Sequence, residues 1–336
     1  MLYDAFKTEN KGMTHAETVS LSDLEAAART IKGTVRRTPL LELGPDLHAK
    51  AENLQLTGSF KLRGAYTFLA SLPEAVRARG VVAHSSGNHA QGVACAAELF
   101  GVQATVVMPE NAAPVKVART LAWGARVVRC ENSSTARETV AQEFVDTHGY
   151  TLVPPFDHPW IVAGQGTVGL EIAHDLPDVA NVLVCVGGGG LLAGITTALR
   201  ARCPQAQLIG VEPELAADAQ ASLAAGGVQR WDAALTARTV ADGVRTQYLG
   251  ALPFEIIRRG VTGIVTVSET EILEATRWYL GEAKLVVEPT GALTLAAYRR
   301  LQGGTYQGVT LQPGPTVLLV SGGNLEPTLL TDLLSS

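Results

Sequence analysis

Short runs of branched apolar residues alternate along this chain with longer alanine-rich stretches. Residues 81–83, Val-Val-Ala, precede a stretch of helical character at 90–100. The same succession recurs at 104–108 before 114–123, at 126–128 before 135–146, and at 182–186 before 191–200. Further apolar runs stand at 207–211 and 317–320. None of these runs interleaves polar with apolar positions. That is the pattern of parallel strands buried on both faces, with helices as crossovers. Repeated strand–helix units predict an α/β fold built from doubly wound sheets. The runs fall into two groups, one between 81 and 153 and one from 182 onward, which predicts two sheets. At ~150 residues per domain, two domains also fit the length.

Composition narrows the class. Apolar residues make up 46% of the 336 positions and charged residues 18%, enough apolar surface to offset the entropy of ordering a core. Lys plus Arg is 27 against 32 Asp plus Glu, a net charge of −5, which argues against a nucleic-acid partner. The four cysteines, Cys95, Cys130, Cys185 and Cys203, form no C-x-x-C and read as small buried residues in a reducing, cytoplasmic setting. The first seventeen residues contain no apolar leader segment. The uncharged stretch 179–199 is broken by four glycines, so it predicts a strand, a loop and a helix rather than a membrane span.

Four places could carry chemistry. The first is that loop, Gly187, Gly188, Gly189 and Gly190 between a strand and a helix. Glycines let backbone N–H groups approach an anion closely, and a helix start adds a favourable dipole. No Lys-Ser/Thr pair follows, which excludes a nucleotide P-loop. Gly188-x-Gly190-x-x-Ala193 with Glu212 after the next strand also satisfies a dinucleotide pattern, so an NAD-dependent oxidoreductase stands as a rival. A merely tight turn is the bland reading. The second place is Lys61, between Phe60 and Leu62. An amine among apolar neighbours is desolvated and available for Schiff-base chemistry, although most lysines are solvated. The third is Ser85, Ser86, Gly87, Asn88 and His89, directly after a strand, which reads equally as a ligand loop or as a helix-capping cluster. The fourth is Ser321-Gly-Gly-Asn324, a helix cap and turn or a site element. The histidines show no metal spacing and no G-x-S-x-G occurs. Glu212 and Asp218 are the one carboxylate pair with cation-like spacing.

Together and in this order the four resemble the fold type II (tryptophan synthase β-like) pyridoxal-phosphate enzymes, within them the threonine dehydratase/serine racemase family. The resemblance runs from about Leu21 to Leu330. It also includes Arg37-Thr-Pro-Leu40, Pro154-Pro-Phe-Asp157, Ala163-Gly-Gln-Gly-Thr167, Ala241-Asp-Gly-Val244 and Val287-Glu-Pro-Thr290. It implies two doubly wound domains, a large one of residues 1–80 with 158–336 and a small mobile one of 81–157. It implies pyridoxal 5'-phosphate bound covalently by Lys61, with Phe60 near its ring. Gly187, Gly188, Gly189, Gly190 and Leu191 would hold its phosphate, Asn88 its ring oxygen and Ser321 its pyridine nitrogen. Ser85, Ser86, Gly87, Asn88 and His89 would surround the carboxylate of a small amino-acid substrate.

A hydroxyl such as that of Ser321 cannot stabilise a protonated pyridine as a carboxylate would. That favours prompt loss of a β-leaving group. The expected activity is a β-hydroxy-amino-acid ammonia-lyase (dehydratase) acting on L-threonine, L-serine or a relative such as 3-hydroxyaspartate. Lys61 removes the Cα proton, the β-hydroxyl departs with help from a general acid such as the cofactor phosphate, and the released enamine hydrolyses to a 2-oxo acid and ammonia. Ser86 resembles the second acid/base of the serine racemase branch, where biosynthetic threonine dehydratases tend to carry Ala. Racemisation is therefore an alternative. A non-enzymatic amino-acid-binding module is the bland one. Glu212, Ala216 and Asp218 resemble that branch's site for Mg2+ or another divalent cation. The family implies a homodimer, and the end of the chain soon after Ser321 leads to the expectation of no regulatory domain and no isoleucine feedback.

Overall fold

The computed structural model describes residues 18–335; the amino-terminal stretch read above for a leader lies outside them. In chain order the strands are β1 (Leu40–Gly44), β2 (Leu47–Ala51), β3 (Val81–His84), β4 (Ala104–Pro109), β5 (Arg126–Cys130), β6 (Thr151–Leu152), β7 (Asn181–Cys185), β8 (Gln207–Pro213), β9 (Gly263–Val267) and β10 (Thr316–Val320). They build two sheets. One has the order β5-β4-β3-β6, all parallel, and the other β1-β2-β10-β7-β8-β9, parallel except for the β1–β2 hairpin.

Strand β7 shows why the apolar runs carry no alternation. Val182 and Val184 pack with Leu192 and Ile195 of the helix Gly190–Arg202. Leu183 and Cys185 point to the opposite face and pack with Ala292 and Leu293 of the helix Pro289–Gln302. Both faces are covered, so every position must be apolar. The four-stranded sheet has its own core, where Val81, Ala83, Val106 and Met108 meet Ala90, Val93 and Ala94 of the helix Asn88–Phe100. Leu62, Phe68 and Leu69 of the helix Lys61–Ser71 join that same core.

The larger sheet differs from the expectation at its start. The apolar pattern begins it at 182, yet β1 and β2 belong to it, with β2 parallel to β10. Glu42, His48 and Lys50 disguise this hairpin as polar chain. Lys50 is nevertheless fully buried, donating to Glu171 Oε2 and to the Thr38 carbonyl, each at 2.6 Å.

The helix Lys61–Ser71 is held from two sides. Arg63, fully buried, donates to both oxygens of Glu52 at 2.8 Å and to Glu171 at 2.7 and 2.9 Å. Burial alone would raise the pKa of Glu52, but Arg63 and Lys50 hold it below its ordinary value. Two cations and two carboxylates thus balance inside the protein. The helix Pro159–Asp175 approaches backbone to backbone. A Cβ on Gly164 would sit 2.5 Å from the Arg63 carbonyl oxygen, and one on Gly194 would sit 2.5 Å from the Val162 carbonyl oxygen. Among the described residues no helix is long and apolar enough to cross a membrane.

Candidate active site

Ligands in open α/β sheets gather beyond the carboxyl ends of the strands. Strands β7 and β10 are parallel neighbours, so the loops that follow them, Gly187 onward and Ser321 onward, lie side by side. Strand β3 of the other sheet delivers His84 and the loop of Ser85, Ser86 and Gly87. All three loop ends, with Phe60, Lys61, Asn88, His89 and Leu191, line one cleft of about 1370 Å³. The structure therefore brings together every residue expected at the cofactor and the substrate. Glu212, Ala216 and Asp218 do not line this cleft.

Lys61 is the first residue of its helix, and the turn before it is tied to the Ser321 loop. Phe60 N–H donates to the Ser321 carbonyl at 3.1 Å, and Ser59 forms a β-bridge with Gly322. The Lys61 ammonium donates to the Pro155 carbonyl at 2.9 Å and lies 5.2 Å from the centre of the Phe60 ring. Desolvation lowers its pKa to about 8. The same burial, with Lys61 nearby, drops His89 to about 3, and its Nε2 sits 3.0 Å from the Val153 carbonyl. A neutral imidazole is what such a site keeps.

The glycine loop is a cradle that side chains would fill. A Cβ on Gly188 would lie 2.2 Å from the Phe156 ring. Gly189 has φ +88, open to glycine at no steric cost. The N–H groups of Gly188, Gly189, Gly190 and Leu191 donate to no acceptor among the described residues. Three polar side-chain atoms of the cleft wall are also buried without a partner among the described residues: Ser321 Oγ, Thr246 Oγ1 and Gln165 Oε1. Free N–H groups and a hydroxyl at one end fit a phosphate. The Ser321 hydroxyl can donate to an unprotonated ring nitrogen. An amine of lowered pKa completes a set that fits a phosphorylated aromatic aldehyde.

The capping alternative for the Ser85 loop does not hold. The N-cap of the helix Asn88–Phe100 is Gly87, with no side-chain cap, and the Ser85 hydroxyl instead accepts from Gly87 N–H at 3.3 Å. Nor is Ser321-Gly-Gly-Asn324 a helix cap: Asn324 donates to Asn88 Oδ1 at 2.7 Å. Asn88 in turn donates to Glu288 Oε1 at 2.6 Å. Burial, together with Asp242, raises the Glu288 pKa to about 8. Sequence reasoning gives Glu288 and Gln165 no role of their own, although both fall inside motifs of the resemblance. A carboxylate inside Val286-Val287-Glu288-Pro289 is the available signal for the first.

Glu212 is fully buried and accepts from Ala219 N–H at 2.9 Å and Gln220 N–H at 2.8 Å. It cannot reach a ribose in the cleft, which removes the structural support for a dinucleotide site. Both oxygens of Asp218 beside it are buried without a partner among the described residues. Burial raises the Asp218 pKa to about 7, and Asp218 adds to the effect of burial on Glu212. Among the described residues there is no cluster of three or more His, Cys, Asp or Glu suited to a metal.

The model of the family described as "Pyridoxal-phosphate dependent enzyme" matches residues 31–322. The L-threo-3-hydroxyaspartate ammonia-lyase of Pseudomonas sp. is 43% identical, over 91% of this chain and 96% of that protein. The serine racemase of Schizosaccharomyces pombe is 38% identical, over 90% of this chain and 94% of that one. Among solved structures, a threonine deaminase from T.th. superposes with a TM-score of 0.84 at 48% identity, over 91% of this chain and 99% of the other.

Proposed function

The chain belongs to the pyridoxal-phosphate-dependent enzyme family, and from that premise we propose that it releases ammonia from a β-hydroxy amino acid of the threonine, serine or 3-hydroxyaspartate kind. The single observation that carries the assignment of roles is the position of Lys61. Its desolvated amine shares one cleft with the glycine cradle and with the unpartnered Ser321 hydroxyl.

When bound, the cofactor supplies an electron sink for the pair left on the substrate's α-carbon. Everything else falls to this chain's own side chains. Lys61 would hold the cofactor, and its free amine would take the Cα proton. Phe60 packs beside the ring. Gly187, Gly188, Gly189, Gly190 and Leu191 aim N–H groups at the phosphate. Asn88 donates to the ring oxygen and Ser321 to the ring nitrogen. Ser85, Gly87 and His89, with Ser86 and Asn88, enclose the substrate carboxylate. The β-hydroxyl leaves as water on a proton supplied by a general acid, and the resulting enamine takes up water to give the 2-oxo acid and ammonia. Ser321 in place of a carboxylate keeps the ring nitrogen unprotonated and so favours this prompt elimination.

Residues 81–157 act as a small domain that closes on the substrate carboxylate and excludes water. A divalent cation, Mg2+ or another, is held by Glu212, Asp218 and the carbonyl of Ala216; the unpartnered oxygens of Asp218 support this. Four buried free thiols support a reducing, cytoplasmic location. A homodimer is proposed from the resemblance. Racemisation is the second reading, favoured by Ser86 in the cleft wall and by the 38% identity to a serine racemase.

The test is a panel of L-threonine, L-serine and L-threo-3-hydroxyaspartate scored for oxo acid and ammonia. At least one is expected to turn over, with a visible absorbance band from the bound cofactor. Lys61→Ala is expected to lose both. Turnover that survives in Lys61→Ala overturns the reading.

A further inference from the structure

Four side chains form an unbroken hydrogen-bonded line that ends at the cleft, which its last two members, Asn88 and Glu288, line. Arg119, on the helix Pro114–Ala122, donates from Nη1 to Asn324 Oδ1 at 3.2 Å. Asn324 donates from Nδ2 to Asn88 Oδ1 at 2.7 Å and to the Thr57 carbonyl at 2.9 Å. Asn88 donates from Nδ2 to Glu288 Oε1 at 2.6 Å. Arg119 and Asn88 belong to the chain around the four-stranded sheet. Asn324 and Glu288 belong to the chain around the six-stranded one. The line therefore crosses between the two more than once.

Its first member gives the line a direction. A guanidinium offers only donors, whereas a side-chain amide can face a neighbour with either its oxygen or its NH2. Facing Arg119, Asn324 must present its oxygen, which turns its NH2 toward Asn88. Asn88 must then answer with its oxygen, which turns its own NH2 toward Glu288. A carboxyl oxygen accepts that N–H whether or not the acid carries a proton on its other oxygen. An NH2 group has two donors, and only one is spent on Glu288. The second remains for the cleft, which Asn88 lines. Gly58 makes room for the arrangement: a Cβ there would stand 2.7 Å from Asn324 Oδ1.

We propose that Arg119 is a positioning residue that sets the polarity of the Asn88 amide through Asn324, so that Asn88 offers the cofactor's ring oxygen an N–H and not a carbonyl. Glu288 receives the other end of the line. This rests on the role given to Asn88 above. Lys116, three residues before Arg119, holds the same helix in place by pairing with Asp242 and, at 3.1 Å, with Glu326. Moving that helix away from the six-stranded side would break these pairs and release the Asn324 amide together. Approach of the helix and the polarity of the cofactor-facing amide are thereby one event.

The line can be reversed on paper by one atom. Asn324→Asp places an acceptor-only group where Asn88 expects an NH2, so the Asn88 amide must turn over. The expected result is a changed wavelength of the bound-cofactor band and a cofactor dissociation constant raised about tenfold or more, the size of one lost hydrogen bond to a charged group. Arg119→Ala leaves the sense of the line to the Thr57 carbonyl alone and is expected to show the same change to a smaller degree. Arg119→Lys, which keeps a donor-only head, is expected to restore the wild-type band. Because Arg119 is half-buried on a helix face, its variants provide the readout if Asn324→Asp does not fold. Unchanged band and a dissociation constant within about twofold in Arg119→Ala overturn the proposal, as does an Arg119→Lys protein indistinguishable from Arg119→Ala. A wild-type protein without any cofactor band would instead overturn the functional reading on which this stands.

Discussion

Arg63 Nη1 lies 2.7 Å from Glu171 Oε1, while Glu52 closes the other side of the same guanidinium. This pairing fixes the helix on which the reactive amine sits two residues earlier. Removing Arg63 would leave two carboxylates facing Lys50 alone. Arg63→Ala is expected to cost about 3–5 kcal/mol of stability, the usual consequence of stranding buried charge. Arg63→Lys keeps the charge but loses the fork, and should recover only part of it. Chemical denaturation measures both. An Arg63→Ala protein as stable as wild type would show that the cage contributes nothing.

The amine of Lys61 should titrate within reach of neutrality. Burial disfavours its charged form, so the pKa falls to about 8 and the free-amine fraction at neutral pH rises. About one-tenth would be free at pH 7, against a far smaller fraction for a solvated lysine. The rate at which cofactor-stripped protein regains its visible band should therefore climb with pH through about 8 and then level off. A rate still climbing steeply well above that pH would place the group at an ordinary lysine value.

Gly188→Ala tests the cradle. The added methyl would start 2.2 Å from the Phe156 ring, so the ring or the loop must move. The N–H groups of the loop move with it. Cofactor affinity is expected to fall by about tenfold or more, as for a lost charge-assisted hydrogen bond, with a smaller loss in melting temperature. Equilibrium cofactor titration decides; an unchanged dissociation constant would mean that the loop does not hold the phosphate.

Much of this is legible in sequence because the signals are local. A glycine run after an apolar run, as at 187–190, marks a loop wherever the chain folds. Strand β9 carries the same branched signal as its neighbours, yet it is absent from the expected runs. The β1–β2 hairpin is hidden for a different reason. Lys50 looks solvated until Glu171, far along the chain, is seen to neutralise it. The pairing of Asn88 with Glu288 spans 200 positions, and a carboxylate set in an apolar stretch is the one local mark it leaves. The glycines of Ala163-Gly-Gln-Gly-Thr167 likewise read as a family motif, and only the helix contacts show that Gly164 is there for packing.

Ser86 separates the two activities. Racemisation needs a proton donor on the face of the substrate opposite Lys61, whereas elimination from an L-substrate needs only Lys61 and a departing hydroxyl. Ser86→Ala is expected to reduce D-serine formation by about a hundredfold or more, the weight of a general acid. Release of oxo acid from L-serine should fall by less. Chiral chromatography and an oxo-acid assay on the same reaction give both numbers. Parallel losses would show that Ser86 serves the carboxylate loop and not proton transfer.

The last prediction concerns the carboxylates outside the cleft. Glu212 spends both oxygens on backbone N–H groups of the helix Asp218–Ala225, while Asp218 presents two buried oxygens with no partner among the described residues. Two acids this close, away from water, repel each other unless a cation lies between them or one takes up a proton. A cation there would brace β8, and β8 pairs with β7, the strand that feeds the glycine loop. Chelation is expected to lower the melting temperature by several degrees, consistent with about 1–2 kcal/mol, and added Mg2+ should restore it. Asp218→Asn removes one repelling charge and one cation ligand together. Its melting temperature should then respond neither to chelator nor to Mg2+. A wild-type melting curve that ignores both reagents would leave the pair as a proton-sharing couple, and the brace on the glycine loop would be built from hydrogen bonds alone.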